Sequence, residues 1–194
     1  MKNTYYFLRH GQSKANVAGI ILSGLEEGKK SDYTLTEVGE AEILTSVVHA
    51  RDQGILDQST LIFSSPFSRC ARSAEIVKEV LGLDQEISFD DRLRERWFGD
   101  WEHTSNEHYE RVWEDDRLNS AHTIANVESA DDVQRRTIAL IQELEERYRD
   151  RVILLVSHGD ALQILHTGLK GVSAATHREL AHLKTAEIRR WDVS

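Results

Sequence analysis

Three short runs of the chain are apolar, β-branched or aromatic at almost every position: Thr4-Tyr-Tyr-Phe-Leu8, Thr60-Leu-Ile-Phe63 and Val152-Ile-Leu-Leu-Val156. Their length is that of a strand. The last has no polar face, which predicts a parallel strand buried between two helix layers. Between these runs the apolar positions recur at steps of three and four. Val38, Ala41, Leu44 and Val48 make one set. Val133, Thr137, Leu140, Leu144 and Tyr148, with Ile141 beside them, make another, opened by the capping pair Ser129 and Asp132. Two further helices are predicted, from about Ser68 to Leu81 with Gly82 as the stop, and from about Asp160 to Leu169 before Gly171. Glycine ends both because it accepts the left-handed cap conformation. Alternating strands and helices imply βαβ crossovers, hence an α/β fold with a mostly parallel sheet covered on both faces. The segment from Trp97 to Val127 breaks the rhythm. It is acidic, polar and aromatic, with one short helix around Glu107 to Leu118, and it reads as an excursion over one edge of the sheet. The tail from His182 to Val193 is expected to add an edge strand.

Composition narrows the class. At 194 residues, 40% hydrophobic and 29% charged, with one Pro and no repeat or linker, the chain predicts one globular domain spanning 1–194. The longest aliphatic run, Val152 to Val156, is far below the about 18 residues of a membrane span. The apolar stretch Tyr5 to Leu8 meets Arg9 and His10 too soon for a signal-peptide core, so a cytoplasmic protein is expected. The single cysteine, Cys70, allows no internal disulfide and no multi-cysteine zinc site. A net charge of −9 argues against nucleic acid and anionic membranes as partners, since both call for a net basic surface. An anionic ligand would have to find a local cluster of cations. Nothing in the sequence argues against a homodimer.

Such a cluster is legible at the strand ends, where open parallel sheets bind ligands. The first strand runs into Arg9-His10-Gly11, the second into Ser64-Ser-Pro-Phe-Ser-Arg69, and the third into Ser157-His158-Gly159. Two arginines and two histidines therefore share one rim. Arginine suits a phosphate monoester because its guanidinium is always charged and binds two oxygens at once. A neutral imidazole whose other ring nitrogen is held by a backbone acceptor is a usable nucleophile near neutral pH, and His10 is the candidate. Gly11 is expected to let the backbone pass close to the phosphate. Arg69, placed in a first helical turn where a cation is disfavoured, points to an anion nearby.

Leu8-Arg-His-Gly-Gln-Ser-Lys-Ala-Asn16 resembles the opening motif of the histidine phosphatase superfamily, the phosphoglycerate-mutase-like enzymes. In family order there follow Tyr33-Thr-Leu-Thr-Glu-Val-Gly39, Ser64 to Arg69, Leu93-Arg-Glu-Arg-Trp-Phe-Gly-Asp-Trp-Glu102 and Val156-Ser-His-Gly159. The resemblance implies a three-layer α/β/α sandwich of the phosphoglycerate-mutase-like kind. It implies that His10 is transiently phosphorylated, that Arg9, Arg69 and His158 bind the phosphoryl group, and that Glu95 is the proton donor. Asn16 and Ser13 would add hydrogen bonds around the phosphate. Neither metal nor cofactor is implied. One departure stands out: His103 follows Trp101-Glu102 where the family often has glycine.

Other readings compete. Glu95 lies among Arg92, Arg94 and Arg96, which by itself suggests a surface ion pair, and Asp100 and Glu102 are rivals for the proton donor. His49, His103, His108, His122, His166, His177 and His182 are expected to be structural or exposed. Cys70 lacks the Cys-x5-Arg spacing of cysteine phosphatases, since position 76 is Ile, and reads as a packing residue. Ser157 lacks the glycine of a nucleophile elbow, because position 155 is Leu. Gly24 to Lys30 falls one residue short of a P-loop and reads as a mobile loop near the pocket mouth. Trp97, Phe98, Trp101 and Trp113 could line a pocket or bury the excursion. The expected activity is hydrolysis of a small phosphorylated metabolite. A phosphoglycerate-type mutase is the alternative, and a phosphoryl-binding module without turnover is the second; retention of Glu95 speaks against the last.

Overall fold

A computed structural model describes residues 1–191. Five strands, β1 (Thr4–Arg9), β2 (Leu61–Ser64), β3 (Ser88–Phe89), β4 (Val152–Ser157) and β5 (Ile188–Arg190), form one sheet in the order β3-β2-β4-β1-β5. The first four run parallel, and β5 pairs antiparallel with β1 at the edge. That edge strand lies inside the predicted tail, of which Asp192 and Val193 fall outside the described residues. Among the described residues seven α-helices accompany the sheet: α1 (Lys14–Ala18), α2 (Leu25–Gly28), α3 (Glu37–Asp52), α4 (Ser68–Leu81), α5 (His108–Leu118), α6 (Ala130–Arg147) and α7 (Gly159–Lys170). Among the described residues no helix is long and apolar enough to cross a membrane.

The unbroken apolarity of β4 follows from the layers on its two sides. Leu154 and Val156 face one core with Ile43 and Val47 of α3 and Ala74 and Val77 of α4, while Ile153 and Leu155 face another with Leu140 and Leu144 of α6 and Leu162 of α7. Successive side chains on a strand point to opposite faces, so a strand clad on both sides has no position left for a polar residue. The predicted capping and stop signals operate. Ser129 accepts the Asp132 N–H at 3.1 Å, and Gly82 and Gly171 end α4 and α7 at φ +62° and +68°.

Two expectations fail. On α3 the buried stripe is Gly39, Ile43, Val47 and Ala50, while Val38 and Leu44 are about half exposed. Both stripes have helical spacing. What selects the buried one is Gly39: a Cβ there would sit 2.0 Å from the Gln12 carbonyl oxygen, so only the glycine side of α3 can press against the loop after β1. Gly11 serves the same seam, since its Cβ would lie 2.3 Å from the Gly39 carbonyl oxygen. Its glycine is thus required by this backbone contact. The segment Gly24 to Lys30, expected as a mobile loop at the pocket mouth, contains α2, and Gly28 packs against the Phe67 ring.

Candidate active site

Strand register assembles the site. Arg9 pairs with Ser157 across β1 and β4, so the next residues, His10 and His158, emerge side by side with ring centroids 5.3 Å apart. Ser64 pairs with Val156, which brings the turn after β2 to the same end and sets Arg69 in the first turn of α4. Arg9, His10, Arg69, Glu95, Ser13 and Asn16 all line a cavity of about 230 Å³. His158 is fully buried at the N-cap of α7, and Gly159 after it is part of the lining. A Cβ at Gly159 would stand 3.2 Å from Arg9 Nε, so glycine makes the room that this guanidinium needs.

The bonding pattern fixes what His10 can do. Its Nδ1 lies 2.8 Å from the Gly11 carbonyl oxygen, which can only accept, so the proton sits on Nδ1 and the lone pair on Nε2. Arg69 Nε donates to that Nε2 at 3.2 Å. Burial, followed by the charges of Arg69 and Arg9, holds the imidazole pKa well below 6.5. His10 is therefore neutral, oriented and buried, as a nitrogen nucleophile must be.

The arginines are held by part of their donor set only. Arg69 Nη2 donates to the Leu22 carbonyl at 3.0 Å, and Arg9 Nη1 donates to the Leu183 carbonyl at 2.9 Å and approaches His182 Nε2 at 2.8 Å. Arg69 Nη1 and Arg9 Nε are buried with no protein acceptor. A buried donor without a partner costs about 1–3 kcal/mol, and two such donors on one cavity make an anion the ligand that relieves both. His158 Nε2 lies 2.9 Å from Ser65 Oγ, and its Nδ1 faces Glu95 Oε2 at 3.7 Å.

Glu95 is buried, with Oε1 accepting the Arg96 N–H at 3.0 Å. Burial pushes its pKa up to about 7, Asp160 adding to the rise and Arg69 opposing it. The surface ion-pair reading of Glu95 does not hold, because the neighbouring arginines are engaged elsewhere. Arg96 binds Asp116 through two bonds at 2.6 and 2.8 Å, and Arg94 binds Glu128 at 2.7 Å. Of the two rivals, Asp100 accepts a bond from Asn126, and Glu102 accepts the Ser23 and Gly24 N–H groups, fixing the backbone beside Leu22. Cys70 is buried with its thiol pushed up to about 12 by burial, consistent with packing. Ser13 and Asn16 bond chiefly to each other. The Ser13 hydroxyl donates to Asn16 Oδ1 at 3.0 Å and accepts the Asn16 N–H in a capping box on α1, leaving the Asn16 amide hydrogens as their donor group toward the cavity.

The cavity also has residues that the sequence did not single out as ligands. Asn106 and Tyr109 come from the excursion, Asp160 from the first turn of α7, and His182, expected to be structural or exposed, from the segment before β5. Of the excursion aromatics, Trp113 lines the cavity, with Nε1 donating to Asp160 Oδ1 at 3.0 Å. Phe98 is buried in a small core with Ile21, Val112 and Val127, and Trp101 stacks on His108. The departure at His103 has a backbone counterpart: φ is +61°, a region where glycine is free and other residues pay about 1–2 kcal/mol. The side chain is exposed. His103→Gly is accordingly expected to leave the melting temperature nearly unchanged. His103→Val, β-branched in the left-handed region, should cost at least about 1–2 kcal/mol by thermal denaturation.

Comparisons with known proteins agree with this architecture. The sequence profile described as histidine phosphatase superfamily (branch 1) matches residues 5–193. A probable phosphoglycerate mutase GpmB from Salmonella arizonae is 33% identical over 192 residues, covering 96% of this chain and 83% of that protein. Among solved structures, mycobacterial glucosyl-3-phosphoglycerate phosphatase in complex with VO3 superposes with a TM-score of 0.79 at 25% identity, covering 96% of this chain and 91% of the other. Phosphoserine phosphatase from Entamoeba histolytica, a histidine-to-alanine mutant with phosphoserine, gives a TM-score of 0.76 at 20% identity over 97% and 89% of the two chains, and supports the fold. With its three-layer α/β/α sheet architecture and a profile match over nearly its whole length, the chain belongs to branch 1 of the histidine phosphatase superfamily.

Proposed function

We propose that the protein is a phosphomonoesterase that passes the phosphoryl group of a small phosphorylated metabolite to His10 and then to water. The observation that carries this reading is the pair of unpartnered buried donors, Arg9 Nε and Arg69 Nη1, around the cavity that the His10 lone pair borders. The phosphoryl oxygens take those donors, and the open first turn of α7, which has no side-chain cap, adds its positive end. His10 Nε2 attacks phosphorus and the ester P–O bond breaks. Glu95, held protonated by burial, gives its proton to the departing alkoxide oxygen. Water then attacks the phosphorus of the phosphohistidine, the Glu95 carboxylate takes a water proton, the P–N bond breaks with its electron pair returning to Nε2, and phosphate leaves with His10 neutral again. Rapid quench with a radiolabelled phosphomonoester tests this directly: an acid-labile, base-stable phosphoenzyme supports it, and turnover with no such species overturns it.

The two ionisations give a pH profile with a definite sign. The nucleophile is already neutral well below pH 6.5, so the limb that matters is loss of the Glu95 proton. With an alkyl phosphate, kcat/KM should fall about tenfold per pH unit above about 7, and Glu95→Gln should remove that limb while lowering kcat about 10²-fold. Stability runs in the same sense. The folded state holds the Glu95 proton more tightly than the unfolded chain, whose value is near 4.5, so this contribution is complete below about 4.5 and lost as pH rises through about 7. The loss approaches about 3 kcal/mol. Glu95→Gln should therefore melt higher than the natural protein at pH 8, and an unchanged melting temperature would refute the buried-proton account.

A second reading, a phosphoglycerate-type mutase, draws on what the bacterial relatives are called. Assaying phosphoglycerate isomerisation beside phosphate release separates the two.

A further inference from the structure

The cavity lining holds few cations, and that scarcity selects the alcohol half of the substrate. Its two arginines, Arg9 and Arg69, are the donors assigned above to the phosphoryl group. The lining also includes neutral residues: Asn16 and Asn106, Tyr109, Trp113 and the aliphatic Ile20 and Leu22. Asn106 and Tyr109 hold their loop through backbone bonds, Asn106 N–H to the Gly19 carbonyl and Tyr109 N–H to the Asn106 carbonyl, while the Tyr109 ring packs against Phe98 and Trp113. The described lining contains no lysine and no third arginine.

A further cation stands outside the lining. Arg178 lies 3.6 Å over the Trp113 ring, donates to Gln163 Oε1 at 2.6 Å and is not part of the lining. His182 is held near 4 by burial and by Arg9, hence neutral at pH 7. The formal charges that complete the lining are the carboxyls Glu95 and Asp160. Asp160 is held well below the usual carboxylate range, chiefly through His177 and Arg96 acting against its burial, so it stays anionic. A substrate carboxylate would meet amides and a like charge in the rest of the lining where it needs a cation. Hydroxyl groups find donors and acceptors on Asn16, Asn106 and Tyr109, and a carbon skeleton finds Ile20 and Leu22. The volume is below that of ordinary ligand pockets, about 300–1,000 Å³, which favours a short skeleton.

Building on the phosphatase reading above, we infer that the substrate is a small polyol or sugar phosphate whose alcohol half is uncharged, and that Asn106 and Tyr109 read its hydroxyl groups. This separates the chain from the phosphoserine phosphatase of Entamoeba histolytica, solved in complex with the carboxylate-bearing phosphoserine and 3-phosphoglyceric acid.

Glycerol 3-phosphate and 3-phosphoglycerate form a matched pair, differing at the far carbon by a hydroxymethyl in place of a carboxylate. The purified full chain is assayed for phosphate release from each, with p-nitrophenyl phosphate alongside. The expected result is a kcat/KM at least tenfold higher for glycerol 3-phosphate. Asn106→Arg, which adds a cation to the lining, should move the ratio at least tenfold toward 3-phosphoglycerate. A ratio of one or below in the natural protein, turnover of p-nitrophenyl phosphate but of neither glycerol ester, or an unmoved ratio in the variant overturns the inference. Failure to hydrolyse p-nitrophenyl phosphate as well overturns the phosphatase reading itself, and the inference with it.

Discussion

His10→Ala should reduce kcat on the order of 10⁶-fold, the scale on which enzymes lose a nucleophile, with far-UV circular dichroism unchanged. No neighbouring group can replace it. The other imidazole, His158, is fully buried outside the cavity lining, with its Nε2 against Ser65 Oγ at 2.9 Å and its Nδ1 toward Glu95. The variant also leaves Arg69 Nε without its acceptor, a cost of about 1–3 kcal/mol that phosphate in the buffer should partly relieve. Steady-state hydrolysis of an alkyl phosphate is the measurement, and a variant retaining even a hundredth of the natural rate would remove His10 from the mechanism.

Arg69→Ala should cost about 10³-fold in kcat/KM, toward the upper end of losses on deleting one transition-state donor. The guanidinium works in three directions: Nε donates to His10, Nη2 is anchored on the Leu22 carbonyl, and Nη1 is buried without a protein acceptor, the donor proposed for the phosphoryl group. An ammonium cannot hold this fork, so Arg69→Lys should lose nearly as much. The same charge lowers the pKa of both His10 and Glu95. Without it the falling limb of the pH profile should move above its place near 7 in the residual activity. A variant with a near-normal rate and an unshifted profile would put the phosphoryl site elsewhere.

What the sequence exposed and what it hid divide along physical lines. The approach of Arg9, His10, Arg69 and His158 was legible because each directly follows, or nearly follows, a run of strand residues, and parallel strands in one register deliver their ends to one rim. Glu95 was legible only through resemblance, since it follows a short 3₁₀ turn and no strand of its own points it at the cavity. His182 carried no local signal. It reaches Arg9 because β5 lies antiparallel beside β1, a pairing between residues 173 positions apart in sequence when measured from Arg9 to His182. The buried face of α3 was misread because its sequence has two stripes of helical spacing, and the choice between them rests on a backbone contact with the loop after β1. Asp160, Asn106 and Tyr109 escaped for a related reason: they matter through what faces them across the cavity, which spacing along the chain does not encode.

The meeting of Gly11 with Gly39 joins two stretches of main chain without any side chain between them. Most contacts in a folded protein can absorb a disturbance by turning a rotamer, whereas bare peptide against bare peptide has no such slack. His10 is thereby keyed to the start of a sixteen-residue helix as a pin is keyed to a shaft. On the proposed mechanism, aim at the phosphorus atom would then be a property of the whole scaffold's rigidity, and it costs no atom inside the cavity itself.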